Sequence, residues 1–284
     1  LQDLVDLGTM DDELASFLEA AVRARKNIVI AGAMNSGKTT LLRALAAEIP
    51  ARERLVTVEQ AFELGLDGDE ARHPDVVALE ARPANLEGEG LVSVSDLVRR
   101  ALRMNADRVI VGEVLGDEIL PMLNAMSQGR SGSMCTIHAD SSSGAFRRIA
   151  SYAVQAPERL PLEATNLLVA GAIQFVVFLD SQATMAVADP HATAARRSTI
   201  DGIESVISPE PHVVFPSQHW RTRFVSSVRE VVDAEGSLVI SNEIFAPGTD
   251  GRAIPAAPLR PSTFEELVRS GYEGGSGLVV GVPA

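Results

Sequence analysis

One stretch of eight residues constrains this chain more than anything else in its 284 residues. Gly32-Ala33-Met34-Asn35-Ser36-Gly37-Lys38-Thr39 fits G-x-x-x-x-G-K-[ST]. It lies between a short apolar run, 27–31, and a Leu/Ala-rich stretch, 39–48, that stops before Pro50. A strand feeding a glycine-rich turn into a helix gathers inward-facing backbone N–H groups at the positive end of a helix dipole, which is a cradle for phosphate. Lys38 can reach the β and γ phosphates of a nucleotide, and the Thr39 hydroxyl can complete the shell of a Mg²⁺ ion. Asn35 is among the few non-glycine residues that tolerate positive φ. The cofactors read from the loop are ATP and Mg²⁺, with Gly32, Ala33, Met34, Asn35, Ser36, Gly37, Lys38, Thr39 and Thr40 as the binding set.

The pattern around this loop alternates. Strands are expected at 27–31, 55–59, 76–79, 108–111, 134–138 and 175–179, and helices at 39–48, 94–104, 117–126, 143–153 and 162–171. A helix is also expected over the first 25 residues, with Asp11 or Asp12 as its cap and Leu14, Phe17, Leu18 and Val22 at helical spacing. The class is α/β, with a mostly parallel sheet and helices on both faces. Residues 1–180 read as the core. Residues 181–221 read as an inserted loop with disorder, because Pro190, Pro209, Pro211 and Pro216 interrupt any periodicity; it should be peripheral to the nucleotide site. Core strands return over 222–245 (224–232 and 237–244, joined by Ala234-Glu235-Gly236). Residues 246–284 read as a C-terminal tail, rich in Pro and Gly, with one short helix candidate at 262–270.

Composition excludes several classes. A formal net charge of −13 gives no global attraction for nucleic acid or anionic lipid. Lys26 and Lys38 are the only lysines, so nearly all the basic residues are arginines. Cys135 is the only cysteine, which rules out an internal disulfide and fits a reducing compartment. The longest nearly apolar run, 167–179, is too short to span a bilayer. The five histidines have no metal-ligand spacing.

A phosphate loop needs an acid nearby. Glu113 ends the apolar strand Arg108-Val109-Ile110-Val111-Gly112, where its carboxylate can orient or deprotonate an attacking water. Glu59 ends L-V-T-V-E and could position Mg²⁺ or assist. Thr39, Glu59 and Glu113 are therefore the metal candidates. His138 follows S-M-C-T-I and could sense the γ-phosphate. Arg82, Arg100 and Arg103 flank the nucleotide strands and could bridge equatorial phosphate oxygens. Arg147 and Arg148 sit on a helix that could be an interface.

Taken in order, G-A-M-N-S-G-K-T-T, V-T-V-E-Q-A-F-E-L, E-A-R-P-A-N-L-E-G, A-L-R-M-N-A-D-R-V-I-V-G-E-V and G-S-M-C-T-I-H-A-D resemble the ATPases of type II and type IV secretion systems, nearest the branch that powers tight-adherence (Tad/Flp) pili. The resemblance runs from residue 1 to about 245, interrupted at 181–220. It implies a RecA-like ATPase core, a hexameric ring at the cytoplasmic face of the membrane, and a polytopic membrane platform protein as partner. It places Lys38 and Thr39 on Walker A, Glu59 on the acidic Asp box, Glu113 on the Walker B glutamate, His138 on the His box, Arg103 on L-R-x-x-P-D and Arg82 on R-P-x-N. The chain departs from the family pattern at Gln60, where the family has Asp, at Leu115, where it has Arg, and at Ala106, where it has Pro. The family carries an N-terminal domain ahead of the first helix. This chain therefore reads as a piece of a longer protein, expected to bind nucleotide but to hydrolyse it slowly and to form no stable ring alone. Two other functions fit a phosphate loop: a nucleic-acid translocase of RecA type, which the acidic charge disfavours, and a non-catalytic nucleotide-binding scaffold, which Glu113 disfavours.

Overall fold

The computed structural model describes residues 1–128, 131–184 and 220–274. Near the N-terminus lie α1 (Gln2–Asp6) and α2 (Asp12–Arg23). The single helix expected there is thus two, because Gly8 turns the chain with φ 69 and the Thr9 carbonyl accepts from Val225 N at 2.8 Å instead of continuing a helix. Asp11 caps α2, its carboxylate accepting from Leu14 N at 2.8 Å.

The alternation then runs β1 (Ile28–Gly32), α3 (Lys38–Ala46), β2 (Leu55–Glu59), β3 (Val76–Glu80), α4 (Val94–Ala101), β4 (Arg108–Val114), α5 (Ile119–Ser127), β5 (Met134–His138), α6 (Ser142–Gln155), α7 (Leu162–Ala172) and β6 (Phe175–Thr184). Ser93 opens α4 through a reciprocal bond pair with Asp96. After residue 219 come β7 (Trp220–Glu235), β8 (Leu238–Pro247), β9 (Ala253–Pro255) and α8 (Pro261–Arg269). The three-residue β9 and a one-turn 3₁₀ helix at Leu66–Gly68 are too short to leave a periodic signal.

The sheet has nine strands in the order β3-β2-β4-β5-β1-β6-β7-β8-β9. The pairs from β3 to β6 are parallel, and β7–β8 and β8–β9 are antiparallel. Side chains alternate between faces, so each strand feeds two cores. Ile28 and Ile30 join Leu18, Leu42, Leu45 and Phe17 under α2 and α3. Val29 and Ala31 join Val98, Leu123 and Ile149 under α4, α5 and α6. Strands buried on both faces explain the continuous apolar runs.

The chain divides into two compact units, Leu1–Asp180 with Phe224–Ala284, and Ser181–Arg223. Of the second, the described residues are strand ends: β6 continues to Thr184 and β7 begins at Trp220, while the rest of the expected inserted loop, 185–219, lies outside the described residues. The C-terminal stretch through residue 274 packs on the core. Leu259, Leu267 and Tyr272 are buried, and Phe17 meets the Tyr272 ring edge-on at 5.9 Å. Arg260 Nε donates to Glu230 Oε1 at 2.9 Å and its backbone N to Oε2 at 3.0 Å, which satisfies a carboxylate with no exposure at all. Among the described residues no helix is long and apolar enough to cross a membrane.

Candidate functional site

In a parallel sheet all strands end at one edge, and the loops there converge. β1 delivers the phosphate loop to that edge. Gly32 has no room for a side chain, since a Cβ would come within 2.8 Å of the Leu179 carbonyl oxygen. Asn35 (φ 60) and Gly37 (φ 97) are both left-handed, as a loop that turns its amides inward requires. Among the described residues no side chain caps the first turn of α3, which opens at Lys38, and the buried Ser36 hydroxyl has no hydrogen-bond partner. Uncapped helix amides, an orphaned hydroxyl and an ammonium at one point suit a polyphosphate.

Lys38 is only 7% exposed. Its Nζ donates to Ala33 O at 3.1 Å, lies 3.1 Å from His138 Nδ1 and 3.6 Å from Glu113 Oε1. His138 Nε2 is 3.0 Å from the same Glu113 oxygen. An ammonium can only donate, so Nδ1 accepts and Nε2 carries the proton toward Glu113. Burial holds the Lys38 pKa below that of an ordinary lysine, and Glu113 offsets part of that shift.

Register brings the three together. β5 pairs with β1 so that His138 stands opposite Gly32. The β4–β5 register shifts between Val111 and Val114, a bulge that turns the Gly112-Glu113 step out of the regular ladder. Thr136 Oγ1 fixes that step by donating to Gly112 O at 2.7 Å. Beyond it, Glu118 Oε1 accepts from Leu115 N and, at 3.0 Å, from Gly116 N, which holds the loop where Leu115 stands half exposed.

The other expected residues have different surroundings. Glu59 is buried, and its Oε2 accepts from the backbone N of Glu63 and of Leu64, both at 2.8 Å. No contact joins Glu59 to Thr39 among the described residues. The acid that contacts Thr39 among the described residues is Glu63, whose Oε2 lies 3.5 Å from Thr39 Oγ1. Sequence reasoning passed over Glu63; the signal was a second acid four residues after the strand-end Glu59, in a loop at the nucleotide edge. Arg82 is exposed and donates through Nε to Gly90 O at 2.7 Å, across a bridge between Arg82 and Val92. Arg103 is exposed in the turn before β4, at the opposite edge of the sheet from the phosphate loop. A strand like β4 separates the two edges by about 20 Å. Cys135 is buried on β5, and its thiol is pushed up to about 12, first by burial and then by Glu118, so it is inert.

Among the described residues no group of three His, Cys, Asp or Glu side chains forms a metal cluster. The Thr39 hydroxyl with the Glu63 and Glu113 carboxylates is instead a sparse set of hard oxygens beside a phosphate cradle, the environment in which Mg²⁺ binds with water and phosphate completing its shell.

A family model described as "Type II/IV secretion system protein" matches residues 1–207. The type IV secretion system protein PtlH of Bordetella pertussis is 39% identical over 197 residues, covering 68% of this chain and 53% of PtlH. A Mycobacterium tuberculosis protein named for conjugal transfer is 44% identical over 142 residues, 49% of this chain and 39% of that protein. The crystal structure of the VirB11 ATPase from the Brucella suis type IV secretion system, in complex with sulphate, superposes with a TM-score of 0.53 at 33% identity, covering 63% of this chain and 49% of VirB11. The chain spans about half the length of the curated relatives it matches.

Proposed function

Because the chain belongs to the type II/IV secretion system protein family, with the RecA-like α/β fold of its structural neighbour, we propose that it is the ATPase core of a motor that powers protein secretion or pilus assembly. The observation that carries the reading is the meeting of Lys38, Glu113 and His138 at the mouth of an uncapped, glycine-turned helix. Charged donors and a strand-end base converge where a γ-phosphate would sit.

In this reading the loop amides and Lys38 bind the phosphates, and Thr39 with Glu63 and Glu113 would hold Mg²⁺, which supplies charge neutralisation at the phosphates when bound. Glu113 orients and deprotonates the attacking water, and His138 fixes the Glu113 carboxylate through Nε2–H. Glu59 supports the loop that presents Glu63. Arg82 and Arg103 act from a neighbouring copy; both side chains are exposed, and Arg103 stands at the edge of the sheet opposite its own phosphate loop. The full motor is a hexameric ring on the cytoplasmic face of the membrane, working against a polytopic platform protein. The order of the five matching segments favours the branch that powers tight-adherence pili.

The test is a titration of the 284-residue chain with ATP by calorimetry. Lys38→Ala should weaken binding on the order of 10- to 100-fold, the loss of one charged donor to phosphate. Unchanged affinity in that variant would remove the assignment of the phosphate loop.

A further inference from the structure

Lys38 has three N–H donors and no acceptor. Two of them have hydrogen-bond partners, Ala33 O and His138 Nδ1, each at 3.1 Å, and the ammonium is also ion-paired with Glu113 Oε1 at 3.6 Å. A phosphate oxygen that approaches this ammonium competes with these partners for its charge and its N–H groups. The Ala33 carbonyl belongs to the loop itself and moves with it. The other two partners come from strands whose side chains lean toward the loop across the sheet edge, and they are tied to one another through Glu113 Oε1 and His138 Nε2.

We propose that His138 and Glu113 are competing partners of Lys38, so that nucleotide binding is an exchange: the ammonium passes from the His138–Glu113 pair to phosphate, and the pair is released to receive water. The proposal rests on the ATP-binding reading above and deepens it by assigning His138 a positioning role exerted through Lys38. While Lys38 and His138 Nε2 both lie against Glu113 Oε1, a water on the loop side competes with them for that oxygen. Transfer of the ammonium clears it. The coupling makes nucleotide arrival the event that readies the base, and it explains why a histidine rather than a purely apolar residue stands opposite Gly32.

The sequence supplies a clean readout, because Lys26 and Lys38 are its only lysines. Lys26 is ion-paired with Glu266 in the turn before β1, at the other edge of the sheet, and serves as the internal reference. Acetylation of the nucleotide-free chain by N-hydroxysuccinimidyl acetate, followed by peptide mass spectrometry, reports how firmly each ammonium is held. Calorimetry with ADP reports the competition without any γ-phosphate contact to His138. In His138→Ala, Lys38 should be acetylated about tenfold faster relative to Lys26, and ADP should bind severalfold more tightly, because a competitor has gone. His138→Asn, whose side-chain oxygen can take the place of Nδ1, should restore slow labelling and the original ADP affinity. Glu113→Gln, nearly isosteric, should raise the labelling ratio about threefold and guards against misfolding of the alanine variant. Labelling that is the same in all four proteins, or ADP binding weakened in His138→Ala and not rescued by Asn, would overturn the proposal. Failure of the unmutated chain to bind ADP would overturn the function on which it rests as well.

Discussion

β4 carries an ionic cluster near each end, and the two could hardly be less alike. At its first residue Arg108 has no exposure, and it grips Glu53 with two bonds, Nε to Oε2 at 2.8 Å and Nη2 to Oε1 at 2.9 Å. Its Nη1 donates to Val22 O at 2.8 Å, and Arg25 adds a second guanidinium to Glu53 Oε2 at 2.8 Å. Five residues on, Glu113 shares one oxygen between Lys38 at 3.6 Å and His138 at 3.0 Å, and it remains a third exposed. The Arg108 cluster is closed: paired charges, bidentate geometry and carbonyls that use most of the guanidinium's donors. The Glu113 cluster is open: longer contacts to one carboxylate oxygen, a first turn of α3 with no side-chain cap, and a Ser36 hydroxyl with no hydrogen-bond partner among the described residues. Saturation separates an ionic cluster suited to holding a fold from one with polar groups to spare for a ligand.

That contrast can be broken by mutation. The largest effect expected is on chemistry at the open end. Glu113→Gln should slow single-turnover phosphate release from ATP roughly 10²- to 10⁴-fold, because an amide cannot take a proton from water, while melting temperature stays near that of the unmutated chain. A large loss of stability there would show that the open cluster is structural after all.

At the closed end the signs reverse. Arg108→Ala should cost about 3–5 kcal/mol of unfolding free energy by urea titration, since Glu53 is left buried with only Arg25 as partner. Any folded fraction should keep its affinity for ATP. Replacing the pair together, Arg108→Met with Glu53→Leu, should recover much of the loss. If Arg108→Ala unfolded no more easily than the parent, saturation would not be the distinguishing property.

The smallest effect is a pH dependence that sharpens the comparison. The folded-state pKa of Lys38 is depressed by burial, so the native chain releases this proton at lower pH than the unfolded chain does. Between the two values the unfolded state binds more protons, and stability from this group rises with pH until both forms are neutral. Nucleotide affinity moves the other way, because the neutral amine no longer attracts phosphate. ATP binding should therefore weaken as pH climbs through the depressed pKa, before an ordinary lysine would titrate. Calorimetry from pH 7 to 10 reads this directly, and a flat profile across that range would mean that Lys38 keeps an ordinary pKa or does not touch phosphate.

Much of the architecture was legible in the residues. β2 and β5 fall at the expected boundaries, and α3, α4 and α6 within a few residues of theirs, because each is a local pattern: an apolar run for a strand buried on both faces, a 3.6-residue period for a helix against it. The phosphate loop was legible for the same reason, its strand, glycine turns and lysine being contiguous. Gly8 hid in the helical pattern at 1–25, because a single glycine does not announce a left-handed turn. The contact of Glu63 with Thr39 was not legible, because Glu59 is the acid at the strand end; folded, Glu59 Oε2 accepts from the amides of Glu63 and Leu64 in its own loop.

The sequence by itself determined that an α/β sheet would carry a phosphate loop with an acid and a histidine on other strands, since those features are written in runs of fewer than a dozen residues. Only the tertiary structure decided which charges face which. Lys38 and His138 are 100 positions apart, and Arg108 and Glu53 are 55 apart. Their pairing depends on strand order, on the register that sets His138 opposite Gly32, and on a bulge that re-aims Glu113. Hydrogen bonds weaken within an ångström of their best distance and with angle, whereas periodicity survives averaging along the chain, so pattern predicts the scaffold and geometry alone assigns the partners.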